Sequence, residues 1–337
     1  MTDLKTKYMG IELKNPLIIG ASPMTSDVED LKKIEEAGAA AFVFRSLFEE
    51  QIQLEKAQLD DELEEYTERH AEMITLFPHI EHAGPQEHLH KVRKAREATS
   101  IPMFASLNAI FKETWIEYAK LLEETGIDGL ELNFYSVPKD VDINAVAIEK
   151  QQIEILKEIK KVVTIPVSVK LSPFYTNPLN FITALDQAGA DGFVLFNRFY
   201  QPDIDIIQEI HSSFHKLSDE SENKLPMRFA GLLYSTIGAS ICCSRGIHQG
   251  SDVIKMLLSG ADCVQMVSSL YENKIEHIRK ILNDIEHWMN EKKYKSIHDF
   301  KGILSKKNIN DPFVYHRAQY IDLLLKSGDI FKKYSLR

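Results

Sequence analysis

Residues 187–197 read Gln-Ala-Gly-Ala-Asp-Gly-Phe-Val-Leu-Phe-Asn. A helix over Leu179–Ala188 has to stop at Gly189, because glycine accepts the left-handed backbone that closes a helix, and a short apolar strand, Gly192–Asn197, follows at once. The same join recurs at Glu36-Ala-Gly-Ala39, Glu124-Thr-Gly-Ile127 and Leu258-Ser-Gly-Ala261. Working outward from these joins, strands are predicted at Pro16–Ser22, Ala41–Ser46, Ile101–Leu107, Gly129–Phe134, Ile165–Leu171, Gly192–Asn197, Ala239–Ser244 and Asp262–Val267. Their apolar content is nearly continuous instead of alternating, so both faces are buried. Helices over Val28–Ala37, Trp115–Glu124, Ile148–Val163 and Val253–Ser259 lie between them. Repeated strand–helix units make a parallel α/β sheet, and eight of them favour a closed (β/α)8 TIM barrel over an open, doubly wound sheet.

The 337 residues suit one barrel domain, with a core over about residues 8–304. Two stretches interrupt the rhythm. Leu47–Ser100 is acidic, aromatic and too long for a plain connection, and is read as a flap inserted after the second strand, beside the catalytic mouth. Ser213–Leu225 is polar and is read as a mobile surface loop. Beyond Asn308, about residues 309–337 read as a C-terminal helical extension.

A net charge of −10 argues against nucleic acid as a main partner, since phosphate backbones require a basic face. The opening Met-Thr-Asp-Leu-Lys carries no apolar leader and no run is long enough to span a bilayer, so a cytoplasmic protein is expected. Cys242, Cys243 and Cys263 lie in apolar runs without metal-ligand spacing and read as free thiols. His79, His82, His88 and His90 fall in the insertion and read as a solvated helix, not a metal site.

Active sites of such barrels lie at the C-terminal ends of the strands. The residues there are, in strand order, Gly20-Ala21-Ser22, Arg45-Ser46, Ser106-Leu107-Asn108, Asn133-Phe134-Tyr135-Ser136, Lys170, Asn197, Ser244-Arg245-Gly246 and Val267-Ser268-Ser269. Lys170 is the most informative of them. An ammonium in an apolar strand is costly unless an acceptor meets it, and the acceptor could be an anionic ligand such as a reduced flavin or a structural carboxylate such as Glu131. Gly246 and Ser268-Ser269 precede helices and read either as a phosphate site or as ordinary helix caps. Arg198 and Tyr200, after the sixth strand, could meet an anionic substrate or serve a surface loop.

Several of these segments, taken in order, resemble the dihydroorotate dehydrogenase family, nearest its cytosolic class. They are Asn15-Pro-Leu-Ile-Ile-Gly-Ala-Ser22, Glu131-Leu-Asn-Phe-Tyr-Ser136, Val167-Ser-Val-Lys-Leu-Ser-Pro173 and Ser244-Arg-Gly-Ile-His-Gln-Gly-Ser-Asp-Val253. Leu257-Leu-Ser-Gly-Ala-Asp-Cys-Val-Gln265 and Lys293-Tyr-Lys-Ser-Ile-His-Asp-Phe-Lys-Gly302 complete the set. The resemblance implies noncovalent flavin mononucleotide (FMN) and an oxidoreductase of pyrimidine biosynthesis. In that reaction a base takes a proton from C5 of dihydroorotate while a hydride leaves C6 for the flavin N5. It implies Ser136 as the base and Lys170 at the flavin N1/O2 edge. Asn133 and Asn197 would bond substrate or flavin, and Ser106 and Asn108 would lie under the ring. Ala21, Ser22, Arg45 and Ser46 would also contact the cofactor, with Arg245, Gly246, Ser268 and Ser269 at its phosphate. A homodimer and a soluble acceptor such as fumarate are expected by the same analogy.

The chain departs from the family pattern at definite places. Ser136 is followed by Val137-Pro138 where the family has Pro-Asn, and Ile74–Pro78 stands where an asparagine-rich loop is usual. Arg45 replaces a lysine, Arg245-Gly246 a glycine pair, Val267-Ser268 a Gly-Thr, and Tyr135 a small residue. The flavin contacts survive as residue types and two substrate amides do not, which leaves an FMN-binding barrel without dihydroorotate turnover as the alternative. A flavin-free lyase or isomerase using Lys170 as a Schiff base is a third, weaker reading.

Overall fold

In the computed structural model the predicted strands close into one parallel barrel. The structure describes residues 2–54, 85–135, 137, 140–200, 202–212, 216–326 and 328. In chain order the strands are β1 (Thr6–Tyr8), β2 (Ile11–Leu13), β3 (Leu17–Ile19), β4 (Ala41–Phe48), β5 (Met103–Asn108) and β6 (Gly129–Phe134). They continue with β7 (Val167–Leu171), β8 (Gly192–Leu195), β9 (Asp203–Asp205), β10 (Ile210–Ser212), β11 (Ser240–Ser244) and β12 (Cys263–Met266). The barrel order is β11-β12-β3-β4-β5-β6-β7-β8, and β8 pairs in parallel with β11 to close it.

The five predicted helices form over Val28–Glu36, Lys112–Glu123, Ala145–Val162, Pro178–Gln187 and Gly250–Ser259. Gly38, Gly126, Gly189 and Gly260 follow four of them with φ of 106°, 84°, 101° and 123°. At Gly260 space adds to the backbone requirement, because a Cβ would lie 2.6 Å from Tyr234 Cδ2.

The β1–β2 hairpin was not anticipated. It pairs Thr6 with Leu13 and Tyr8 with Ile11, and packs against the N-terminal end of the barrel. Tyr8, Met9 and Leu13 join Ile18, Val43, Phe104, Val194, Cys242 and Cys263 in one buried cluster. Glycine at the start of two strands makes room: a Cβ on Gly192 would meet Met9 Cγ at 2.9 Å, and one on Gly129 would meet Met9 Cε at 3.1 Å. Met9 N donates to Ser240 Oγ at 3.0 Å and Thr6 Oγ1 to Asp262 O at 2.8 Å, fixing the hairpin to the starts of β11 and β12. A second, larger cluster lies between the strands and the surrounding helices.

Two sequence expectations need correction. The stretch read as a flap contains, at its end, a barrel helix, Pro85–Ala98. His88, Leu89, Val92 and Ala95 of that helix are buried, so His88 is a core residue and not part of a solvated helix. Its ring packs edge-on against Phe44 with centroids 5.3 Å apart. Residues 55–84, with His79, His82 and Ile74–Pro78, lie outside the described residues. The Ser213–Leu225 stretch is, from Lys216 onward, bonded to the barrel. Asn223 is buried and its Nδ2 donates to Asp252 Oδ1 at 2.9 Å and Gly246 O at 3.2 Å. The Lys224–Leu233 helix follows, with Ala230 and Leu233 in the core. The helix Arg317–Leu325 lies beyond a turn, Pro312–Tyr315, that Arg228 holds through Val314 O at 3.0 Å and Tyr315 O at 3.1 Å.

Gly260→Ala is expected to cost more stability than Gly10→Ala, by at least about 1 kcal/mol. Gly10 also has positive φ, 80°, but nothing lies within 4 Å of a Cβ there. Equal urea midpoints for the two variants would contradict the Tyr234 clash. A second expectation concerns acid. Burial, then the charges of Arg45 and Lys91, push the His88 imidazole from 6.5 down to about 4. Between those values the unfolded chain binds a proton that the native state refuses. Stability therefore falls as pH drops from 6.5 toward 4, by up to about 3 kcal/mol. His88→Phe should remove that part of the slope when unfolding free energies are compared at pH 7 and pH 4.5.

Candidate active site

Side chains in a strand alternate, so the residues two places beyond the apolar plug also face the barrel interior. There the lining turns polar. Ser106 on β5, Glu131 on β6 and Gln265 on β12 follow Phe104, Gly129 and Cys263 at that spacing, and all three are buried. Gln265 Nε2 donates to Glu131 Oε2 at 2.6 Å. Lys170 Nζ lies 3.7 Å from Glu131 Oε1 and donates to Gln265 Oε1 at 3.4 Å. Glu131 is thus the carboxylate partner of Lys170. The ammonium also lines a cavity above, so a structural partner on one side leaves it available to a ligand on the other.

That cavity, of about 670 Å³, opens at the C-terminal ends of the strands. It brings together Ala21, Ser22, Lys170, Asn197, Arg245, Gly246 and Ser268, residues singled out from five different strand ends. Other predicted residues sit behind or beside it. Ser46 Oγ donates to Ser106 Oγ at 2.7 Å inside the barrel. Asn108 Nδ2 donates to Asn133 O at 2.8 Å, and Asn197 Nδ2 to Asn133 Oδ1 at 2.5 Å, so Asn108 and Asn133 connect to the cavity through Asn197. Ser269 is buried beside Ser268. Arg45 does not reach the cavity. The pairing of β4 with β5 shifts register between Phe44 and Leu47, and Arg45, within that irregularity, is exposed. Ser136 lies outside the described residues.

Sequence reasoning missed part of the wall. Lys216 and Ser218, from the stretch read as a mobile loop, line the cavity, as do Gln265 and Tyr271. Ser218 Oγ donates to Ser268 Oγ at 2.9 Å, and Gly246 N donates to Ser218 Oγ at 3.4 Å. Gln265 could have been found by the signal that exposed Lys170, a polar side chain within an apolar strand. The Ser213–Leu225 stretch has no such signal, because its polar composition is that of any surface loop. Burial raises the Cys243 and Cys263 thiols well above their usual range, so neither is held as a thiolate nucleophile.

A closed parallel barrel with a lysine in its mouth and small or hydroxyl residues after its last two strands has the architecture of (β/α)8 enzymes. The family model described as dihydroorotate dehydrogenase matches residues 3–289, and the chain belongs to that family. It is 26% identical over 313 residues to the "Dihydroorotate dehydrogenase B (NAD(+)), catalytic subunit" of Thermoplasma volcanium, covering 91% of this chain and 100% of that protein. The Methanocaldococcus jannaschii protein of the same name is 26% identical over 299 residues, 86% of this chain and 94% of its own. The "Dihydroorotate dehydrogenase A (fumarate)" of Lactobacillus helveticus is 28% identical over 196 residues, 55% of this chain and 62% of its own.

Removing Lys170 alone leaves a buried carboxylate without its cation. Lys170→Met should destabilise the chain by about 3–5 kcal/mol, and Glu131→Gln combined with Lys170→Met should recover most of that loss. Urea unfolding of the two single variants and the double variant measures the coupling. Additive losses would show that the pair carries no interaction energy.

Proposed function

We propose that this chain oxidises dihydroorotate to orotate with FMN held in the barrel mouth. The observation that carries this reading is Lys170, a cation fixed by Glu131 and Gln265 and lining one cavity with Arg245, Gly246 and Ser268. The donor set fits FMN. Two buried hydroxyls, Ser22 Oγ and Ser269 Oγ, have no hydrogen-bond partner among the described residues, and Ser22 lines the cavity. Gly20 keeps the first strand end flat, since a Cβ there would press to 3.0 Å from Val267 Cγ2. Gly246, at φ 64°, stands where a Cβ would lie 2.6 Å from Asn223 N.

When bound, FMN supplies the hydride acceptor. Lys170 would then supply positive charge to offset the negative charge that reduction leaves on the flavin. Ala21, Ser22, Asn197, Arg245, Gly246, Ser268 and Ser269 are the cofactor contacts of this proposal. Asn133 and Asn108 orient Asn197, and Ser46 and Ser106 brace the interior beneath. Ser136 holds the C5 proton, passing it to water or a polar neighbour because a lone serine is a weak base. The names of relatives spanning most of this chain support turnover over a flavin-binding barrel without activity. Their words "NAD(+)" and "catalytic subunit" also favour a partner subunit through which electrons leave, in place of the fumarate expected from sequence.

The visible spectrum of the purified protein, followed by anaerobic dihydroorotate, tests the proposal. Flavin absorbance that bleaches is the expected result, with Ser136→Ala slowing the bleaching by roughly 10²–10⁴-fold at neutral pH. Absorbance that persists with dihydroorotate would remove this substrate. A colourless protein that does not take up FMN would remove the cofactor.

A further inference from the structure

A second cavity, of about 440 Å³, lies at the same end of the barrel and shares no lining residue with the first. It is set between the ends of β6, β7 and β8 and one face of the Ala145–Val162 helix. Ala145, Ile148, Glu149 and Gln152 follow one another on that face at helical spacing. No cofactor or substrate contact proposed above belongs to this cavity, so what it binds is a separate question from the flavin reading.

Four aromatic rings form its wall, and each is backed by another ring. Phe134 meets Trp115 edge-on with centroids 5.4 Å apart, and Tyr175 packs on Phe181 at 4.4 Å. Phe199 stacks on Tyr135 at 5.7 Å and receives Phe174 edge-on at 5.3 Å. Rings braced in this way present fixed faces. Phe174 is nevertheless 69% exposed and Ile143 51%, so the cavity meets solvent through an apolar rim.

Two polar groups in this setting lack partners. Gln152 is 8% exposed; its Oε1 accepts from Tyr175 Oη at 2.9 Å, while its Nε2 donates to no group among the described residues. Buried amides are ordinarily satisfied at both ends, so the free N–H end marks a place for a ligand acceptor. Glu149, half-buried on the same helix face, has no ion-pair partner among the described residues, and the adjacent Lys150 pairs instead with Glu154 at 4.0 Å. The dipole at the start of the helix would favour an anion. Asn144 already serves that end by accepting from Ala147 N at 3.0 Å, and no lysine, arginine or histidine lines the cavity among the described residues. The carboxylate carries a full charge against the partial charge of the helix end, and the ring faces attract cations. Together they outweigh the dipole.

We infer that this cavity binds a protonated aromatic amine, with its ring against Phe174 and Phe199, its ammonium at Glu149 and a ring oxygen accepting from Gln152 Nε2. The first cavity does not suit such a ligand, because Lys170, Arg198, Lys216 and Arg245 line it.

Isothermal titration calorimetry of the full chain, in the form that is purified, tests the inference with three probes of nearly one shape. Tyramine carries an ammonium, tyrosol a neutral hydroxyl and 4-hydroxyphenylacetate a carboxylate. Tyramine should bind at least about tenfold more tightly than tyrosol, with 4-hydroxyphenylacetate the weakest. Glu149→Gln should lower tyramine affinity about tenfold and leave tyrosol affinity unchanged. Phe174→Leu should weaken tyramine and tyrosol together, by roughly three- to tenfold. Both side chains lie outside the buried core, so neither change threatens the fold. If tyramine and tyrosol bind equally, the cavity is merely apolar and the inference fails. If the carboxylate binds most tightly, the helix end sets the charge and the inference fails. Tyramine affinity that is unchanged in both variants would put the amine elsewhere, and a chain that binds none of the three probes would have no such site; either result overturns the inference.

Discussion

A carboxylate in the middle of a barrel organises this protein. Glu131 is 1% exposed, and an isolated ion at that depth costs several kcal/mol. Its charge is met by Lys170 from β7 and by the amide of Gln265 from β12, so three strands are joined through their interior faces. The arrangement leaves the lysine little freedom. Its ammonium is drawn toward Glu131 below and Gln265 at the side, and the remaining face looks into the cavity. The same contacts thus satisfy a buried charge and aim a cation at a ligand. A lysine on a surface loop would supply the charge without the aim.

The interior below that network is filled by an apolar plug, and the contrast sets the polarity of the molecule. Tyr8, Met9 and Leu13 of the hairpin close the N-terminal end on Phe104, Val194, Cys242 and Cys263. Water and ligand therefore have access from the opposite end, where Lys170 and Gln265 line the cavity and Glu131 lies against them. The hairpin fits because Gly129 and Gly192 are small where Met9 and Tyr8 arrive. A stable lower half permits a costly upper half, since hydrophobic burial offsets the desolvation of the polar layer.

The mouth is completed by chain that is not part of the repeating unit. Lys216–Asn223 lies over the ends of β11 and β12, joining Ser218 to Ser268, Asn223 to Gly246 and Asp252, and Glu222 to Arg245. This segment converts a generic barrel end into a walled cavity of one charge sign. It also connects the cavity to the Lys224–Leu233 helix, which Tyr315 and the residues around it cover from outside.

The barrel was legible in the sequence because its signals are local. A near-continuous apolar run means a strand buried on both faces, and a glycine after a helix means a stop; both can be read within a dozen residues. Lys170 was legible for the same reason, as a charge in an apolar run. What the sequence alone could not decide depends on which distant segments meet. Glu131 and Gln265 are separated by 134 positions and become neighbours only when the barrel closes. His88 looked solvated beside charged neighbours until packing placed its ring on Phe44. Arg45 looked like a site residue until a register shift left it exposed, and a polar stretch around Glu222 looked like a loose loop until it met two arginines from other strands. Hydrophobic periodicity is written residue by residue and gives the architecture. Polar partnership is written in contacts between strands, and only the closed barrel supplies them.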